Sequence, residues 1–227
     1  MGQLQKVKEN YLTEDECWLQ WGYYGIALNQ RDETPLVLPE KLLADSLRYV
    51  DNLDQSRLFS LIMDWIYFYS DLLRPEVFLK ISSQINDREL RILCGILSLQ
   101  DKRKFGPLVD KLSRSLTPFR IMLGSQGRIN SFGEDPVMAS FGIVCSYVER
   151  TRSDKKIMPR DELFKYCPFL RARAVIGPSA RSDFFSLRTI YPDKTIAHIR
   201  EVACASKTSS VYFERNLKYF SEDFQNQ

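Results

Sequence analysis

The sequence contains few of the side chains on which most enzymes and metal sites depend. His198 is the only histidine, and the five cysteines are widely spaced, with no Cys-x-x-Cys pair. Histidine is the most frequent general base, and zinc is held chiefly by clustered cysteine and histidine, so the sequence predicts neither a metal nor a cofactor. The nucleotide-binding and hydrolase motifs built around glycine are also missing. We therefore expect a protein that is not an enzyme.

Long apolar runs are absent as well. The longest, Leu58 to Leu73, is interrupted by Asp64 and Asp71 and falls short of the ~18 or more apolar residues that a membrane-spanning helix needs. The first residues lack the apolar block of a secretory signal, and an odd number of scattered cysteines does not indicate a disulfide framework. These absences predict a cytoplasmic protein without a membrane segment.

Glycine and proline are scarce, with ten residues of each among 227, whereas 44% of the residues are apolar and 27% are charged. This composition excludes collagen-like and disordered chains, and it is typical of a globular protein with a hydrophobic core.

Positive charge is concentrated in the second half of the chain. Residues 1–100 hold 10 Lys/Arg against 15 Asp/Glu, whereas residues 101–227 hold 22 against 14. Residues 165–220 alone contain ten basic and four acidic side chains. Such a segment suits a polyanion, although a solvated basic face without a partner has the same composition.

Helix signals dominate the first part of the chain, which we interpret as an N-terminal helical domain over residues 1–120. A capping box is predicted where Thr13 is followed by Glu16, and Asn86 is predicted to cap a further helix. Helices are also predicted from Pro39, from Pro75 and over Gly106 to Leu116. The stretch from Leu58 to Leu73 is apolar on nearly all sides, so we expect a buried central helix with five core residues, Leu61, Ile62, Trp65, Ile66 and Leu72.

Residues 121–166 are predicted to form an irregular connector. Glycine and proline punctuate its first half, the run from Ser140 to Glu149 could be a strand or an extended piece, and the charged stretch from Thr151 to Lys156 is predicted to be a loop. Residues 167–227 are predicted to form three consecutive helices. The expected fold is mainly α, with at most one or two short strands.

Capping residues mark these three helices. Ser179 or Ser182 precedes the first, Thr195 precedes the second, and Ser206 or Ser209 precedes the third. Phe213, Leu217 and Phe220 recur along the third helix at positions i, i+4 and i+7, which predicts one buried face.

The order and spacing of these helices resemble the helix-turn-helix of bacterial transcription regulators, including winged-helix regulators and antitoxin-like proteins. Ala203 takes the place of the small residue in the first helix of that motif, and Phe213, ten positions later, takes the place of the apolar residue that locks the second helix. The resemblance implies that Ser209 caps the recognition helix. A competing alignment uses Ser206 as the cap, which would bury Val211 and lengthen the turn.

The resemblance implies a DNA-binding face on the third helix and the turn before it. Arginine and asparagine side chains suit base edges in the major groove, and the other polar side chains suit phosphate. The candidate DNA-binding residues are Lys207, Thr208, Ser209, Ser210, Tyr212, Arg215, Asn216, Lys218 and, at the start of the first of the three helices, Arg181.

These observations favour a dimeric, sequence-specific regulator or antitoxin-like protein that binds double-stranded DNA, with the N-terminal helical domain used for self-association or for a protein partner. The alternative is a non-catalytic interaction module, such as an adaptor or a defence-system accessory protein, with Tyr212, Phe213, Tyr219 and Phe220 as its anchors. An enzyme that uses Cys145 or Cys167 is the least favoured hypothesis, because no sequence pattern supplies an activating base.

Overall fold

A computed structural model describes residues 11–28, 35, 37–50, 57–147 and 156–225. The loop predicted over 151–156 falls almost entirely outside these ranges. The fold is mainly α with two short strands, as the sequence predicts. The α-helices of the described residues are α1 (Glu14–Tyr23), α2 (Pro39–Ser46), α3 (Arg57–Tyr69), α4 (Pro75–Ile81), α5 (Asp87–Ser98), α6 (Lys102–Ser113), α7 (Gln126–Phe132), α8 (Pro136–Ser140), α9 (Arg160–Tyr166), α10 (Pro168–Ile176), α11 (Ala180–Ile190), α12 (Ile196–Val202) and α13 (Lys207–Gln225).

The predicted capping box at Thr13 and the predicted cap at Asn86 are confirmed, and the Asn86 cap is also a capping box. The Thr13 hydroxyl accepts a hydrogen bond from the Glu16 backbone N–H, and the Asn86 side chain accepts one from the Glu89 N–H. In both boxes the glutamate side chain accepts a hydrogen bond from the backbone N–H of the capping residue. Two backbone donors that a helix start leaves unpaired are therefore satisfied. These caps fix where α1 and α5 begin.

The central helix α3 is the most apolar element, and its predicted burial is confirmed. Leu61, Ile62, Trp65 and Ile66 are at most 6% exposed, and Leu72 in the short 3-10 turn after α3 is also buried. The Trp65 ring packs edge-on against Trp21, and its indole N–H donates to the Tyr24 carbonyl at 2.6 Å. A buried indole therefore has both an aromatic neighbour and a hydrogen-bond acceptor.

Helix α6 begins at Lys102 rather than near Gly106. The Asp101 side chain caps it by accepting from the Arg103 N–H, and Pro107 lies inside the helix as its sixth residue. Proline is most common at the first helical position, which explains why the sequence pattern placed the start too late.

The connector contains more regular structure than predicted. Within the described residues of the run from Ser140 to Glu149, which end at Tyr147, α8 ends at Ser140 and Ile143–Val144 forms the short strand β2. This strand pairs in parallel with Ile121–Met122 (β1). The Asp135 carboxylate caps α8 by accepting hydrogen bonds from the N–H groups of Val137 and Met138.

The C-terminal part has two helices that the sequence reading missed, α9 within the connector and α10 from Pro168. The expected caps are otherwise confirmed: Ser179 caps α11 and Thr195 caps α12. One continuous hydrophobic core extends from Leu12 through α3 and α5 to Phe213, so the N-terminal and C-terminal helices share it. Among the residues described, none of the helices combines the length and the apolar character needed to cross a lipid bilayer.

Candidate nucleic-acid interface

Helices α12 and α13 are joined by the four residues 203–206, which reverse the chain in a tight turn. Cys204 adopts a left-handed backbone conformation (φ 54°), which directs the N–H of the next residue, Ala205, to the Arg200 carbonyl at 2.9 Å. The Ser206 hydroxyl accepts from the Ser209 backbone N–H at 3.0 Å and thereby caps α13. The two helices therefore have the short connection that is typical of a helix-turn-helix.

The third helix starts earlier than Ser209. It begins at Lys207, and Ser206 is the cap, so the prediction of Ser209 as cap is wrong. The Ser209 hydroxyl instead accepts a hydrogen bond from the Ser206 hydroxyl at 2.7 Å. The competing alignment named the correct cap, but Val211 is 45% exposed rather than buried.

Phe213 anchors α13 to the protein. It is 9% exposed, and its ring centroid lies 5.7 Å from that of Phe184 and 5.8 Å from that of Phe185, both on α11. Ala203 is fully buried, so the predicted burial of this residue and of Phe213 is confirmed. Ala203 nevertheless caps the end of α12 instead of lying in the middle of a helix. The side chains of residues 217–225, and so of Leu217, Lys218, Tyr219 and Phe220, lie outside the described part.

Most of the predicted contact residues that the structure describes lie on the outer face of α13. Lys207, Thr208, Tyr212 and Arg215 are exposed, whereas Ser209 and Asn216 are partly buried. The Asn216 side-chain N–H donates to the Tyr212 carbonyl at 2.7 Å, one turn earlier. A basic and polar face of this kind can approach a polyanion without rearrangement of the core.

Two of the predicted residues do not belong to this face. Ser210 is only 2% exposed, and its hydroxyl donates to the Lys207 carbonyl at 2.8 Å. It lies on the same side of the helix as Phe213, three residues later, so its expected position on the outer face is wrong. Arg181 is on α11, where its guanidinium carbon lies 5.7 Å from the centre of the Phe185 ring.

The turn before α13 is held by two basic side chains of α4 and its N-cap. The Arg74 guanidinium donates to the Ala203 carbonyl at 2.9 Å, and the Lys80 ammonium donates to the Cys204 carbonyl at 2.8 Å. These contacts join residues more than 120 positions apart. No local pattern in the sequence indicates them, and the sequence analysis missed them.

A buried network of four charges lies beneath this turn. Arg173 on α10 contacts Glu40 on α2 at 2.6 Å and Asp183 on α11 at 2.6 Å, and Arg74 contacts Asp183 at 2.6 Å. All four side chains are at most 1% exposed. Burial alone would lower the pKa of Arg173, but the carboxylates of Asp183 and Glu40 outweigh that effect and raise it. The Arg173 guanidinium is therefore held in its charged form, and the network fixes the helices around the candidate interface.

The basic character of the C-terminal segment is a property of its surface. Among the described side chains of residues 165–220, Arg173 and Asp183 are the buried charged members, and they neutralise each other. The other described side chains, eight basic and three acidic, keep an excess of five positive charges.

The two cysteines considered as catalytic nucleophiles, Cys145 and Cys167, lie in the interior. Cys145 and Cys167 are fully buried, and burial raises the pKa of the Cys167 thiol to about 12. A thiol must ionise to act as a nucleophile, so this environment disfavours that role. Within the described part of the chain, no three histidine, cysteine, aspartate or glutamate side chains are grouped as a metal site would require.

No protein-family model matches this chain, and neither a curated protein nor a solved structure shows significant similarity to it.

Proposed function

We propose that the protein binds double-stranded DNA and that α13 reads the major groove. The observation that carries the proposal is the two-sided character of this helix. Ser210 and Phe213 face the protein, while Lys207, Thr208, Tyr212 and Arg215 face solvent after a four-residue turn from α12. The major groove of B-DNA admits one α-helix. A helix that packs on the protein through one face and is polar on the opposite face can enter that groove.

The exposed side chains divide into two chemical roles. Lys207 and Thr208 lie in the first turn of α13, where the partial positive charge of the helix N-terminus adds to the attraction for phosphate. Arg215 lies two turns later and can donate two hydrogen bonds to guanine O6 and N7. The bond from Asn216 to Tyr212 leaves one amide N–H and the Oδ1 atom, which are the groups that adenine needs.

In this proposal the protein is a cytoplasmic transcription regulator or antitoxin-like protein that acts as a homodimer. Proteins with this motif bind two half-sites about one helical turn of DNA apart, so a second copy of α13 is required. The N-terminal helices carry the excess of acidic residues and would repel DNA, which makes residues 1–120 the preferred region for self-association or for a protein partner.

One observation favours the alternative, a protein-interaction module. Val211 and Tyr212 are 45% and 59% exposed and lie side by side on α13. Exposed aromatic side chains are frequent anchors in protein interfaces. Phe213, however, is buried against α11 and cannot serve as an anchor.

The test is a titration of the full-length protein onto fluorescently labelled duplex DNA at several salt concentrations. Binding should weaken linearly on a log–log plot against salt, because phosphate contacts release counterions. Lys207→Ala should reduce the slope by roughly one unit. Lys165→Ala is the matched control, because it removes the same charge from the exposed side of α9. Absence of binding at low salt, or equal binding by both variants, would contradict the proposal.

A further inference from the structure

The turn between α12 and α13 contains two carbonyl groups that the backbone does not pair. Ala203 caps the end of α12, and Cys204 follows it in the left-handed conformation. Their N–H groups bond back into α12, but among the described residues no backbone N–H bonds to the carbonyl of either residue. The last carbonyls of a helix have no partner within it, so they bond to side chains or to water. The geometry of this turn therefore depends on what the two carbonyls contact.

Two basic side chains of the N-terminal helical domain supply the donors. The Arg74 guanidinium, at the N-cap of α4, donates to the Ala203 carbonyl at 2.9 Å. The Lys80 ammonium, in the last turn of α4, donates to the Cys204 carbonyl at 2.8 Å. Basic side chains are favourable at this end of a helix, because the carbonyl groups there carry partial negative charge. The two ends of one short helix therefore hold the turn.

The two contacts differ in what else depends on them. Arg74 is 1% exposed and also bonds to the Asp183 carboxylate at 2.6 Å, so it belongs to the buried charged network. Lys80 is exposed, and its ammonium bonds to the turn. Substitution of Lys80 therefore removes a contact to the turn and leaves the hydrophobic core intact.

The first turn of α13 has little packing of its own. None of the residues 207–209 is buried, and the first side chains that face the protein are those of Ser210 and Phe213. The position of this end of the helix is therefore set by the preceding turn on one side and by Phe213 on the other. Groups that recognise a ligand must be held to within about 0.5 Å and 10–20° of their productive geometry. Without its contact to α4, the turn would meet this requirement for a smaller fraction of the time.

We infer that Lys80 is a positioning residue for DNA recognition. Its bond to the Cys204 carbonyl keeps the turn, and with it the first residues of α13, in the geometry that enters the major groove. The inference rests on the proposed binding of DNA by α13, and it gives the N-terminal helical domain a direct part in that binding. Apparent affinity falls with the populated fraction of the binding-competent conformation, so loss of this bond weakens binding although Lys80 does not touch DNA.

A direct contact between Lys80 and a phosphate is the competing explanation, and salt dependence separates the two. Removal of a lysine that holds phosphate lowers the slope of log affinity against log salt concentration by roughly one unit. Removal of a lysine that only holds the turn leaves the slope unchanged, because the bound complex keeps the same phosphate contacts. The positioning role therefore predicts a loss of affinity with an unchanged slope.

The experiment measures the affinity of the full-length protein for a duplex site selected with the wild type, at several salt concentrations. Lys80→Met keeps the apolar stem and removes the ammonium, so it should weaken binding about fivefold at every salt concentration. Lys80→Arg keeps a cationic donor and should restore most of the affinity. Lys102→Met, at the exposed start of α6, is the matched control for the lost charge and should bind like the wild type.

Four results would overturn the inference: wild-type affinity in Lys80→Met, a slope lowered by about one unit, an equal loss in Lys102→Met, or no recovery in Lys80→Arg. In each of them the wild-type protein still binds its site. A failure of the proposed function is different, because the wild type then binds no duplex and the inference falls with it. Cooperative unfolding of Lys80→Met in chemical denaturation verifies that this variant is folded.

Discussion

The Arg173 guanidinium and the Asp183 carboxylate form a two-point ion pair that solvent does not reach. Nε lies 2.6 Å from Oδ1, and Nη2 lies 2.7 Å from Oδ2. The remaining donors of Arg173 bond to Glu40 and to the Leu72 carbonyl, at 2.6 Å and 2.8 Å for Nη1. Arg173 therefore joins α10 and α11 to α2 and to the residues after α3, and these contacts connect the two halves of the chain.

Substitution of Arg173 by methionine should destabilise the protein strongly. It would leave Glu40 and Asp183 buried with one cation, Arg74, between them, and an uncompensated buried charge costs about 3–5 kcal/mol. Chemical denaturation of the full-length protein measures this loss.

The matched control is an exposed pair of the same chemistry. Arg160 contacts Asp71 with both side chains about half exposed, so Arg160→Met should cost less than about 1 kcal/mol. If Arg173→Met and Arg160→Met lose the same free energy of unfolding, the buried network does not stabilise the contact between the two halves of the chain.

The buried thiols predict a loss of stability at alkaline pH. Burial raises the pKa of Cys17, Cys94 and Cys167 to about 12, from an ordinary value of 9.0. The unfolded chain releases these protons first, so stability is fully present below pH 9 and falls as the pH rises towards 12. Each thiol should lower the free energy of unfolding by about 1.4 kcal/mol between pH 8 and pH 10.

Cys94→Ala isolates one of these contributions. The difference in unfolding free energy between wild type and this variant should shrink as the pH rises from 8 to 10, because the variant has no proton to release at that position. A difference that stays constant over this range would contradict the burial of the thiol.

Lys80 should stabilise the turn that precedes α13. Lys80→Ala removes the donor to the Cys204 carbonyl, so the amides of residues 204 and 205 should exchange with solvent faster. Lys102→Ala, on the exposed start of α6, is the control with the same change of charge. If both variants leave exchange in the turn unchanged, the contact from α4 does not hold it.

Local signals in the sequence predicted helix starts, whereas contacts between distant residues were not predictable. Helix starts are predictable because the side-chain oxygen of a capping residue accepts from a backbone N–H two or three residues later. Four caps were recognised in this way: Thr13, Asn86, Ser179 and Thr195. The choice between Ser206 and Ser209 could not be made in this way, because both can cap and they lie three residues apart.

The charged network shows a different limit. Glu40, Arg74, Arg173 and Asp183 look like ordinary surface residues in the sequence, since charged side chains are seldom buried. They become partners only when three helices and the N-cap of a fourth meet, at separations of up to 133 residues.

The proposed DNA contacts predict two kinds of mutant behaviour on α13. Arg215→Ala or Asn216→Ala should cost about 1–3 kcal/mol on a DNA site selected with the wild-type protein, and much less on random duplex, because base contacts confer specificity. Lys207→Ala or Lys218→Ala should weaken binding to both DNAs alike, since phosphate contacts are independent of sequence. Ser210→Ala should leave the DNA preference unchanged, because Ser210 faces the protein interior.

Selection of a site, followed by anisotropy titrations of each variant on selected and random duplexes, separates these effects. If Arg215→Ala weakens both duplexes equally, Arg215 holds phosphate and does not read bases, and loss of sequence preference in Ser210→Ala would place the recognition surface on the opposite side of the helix.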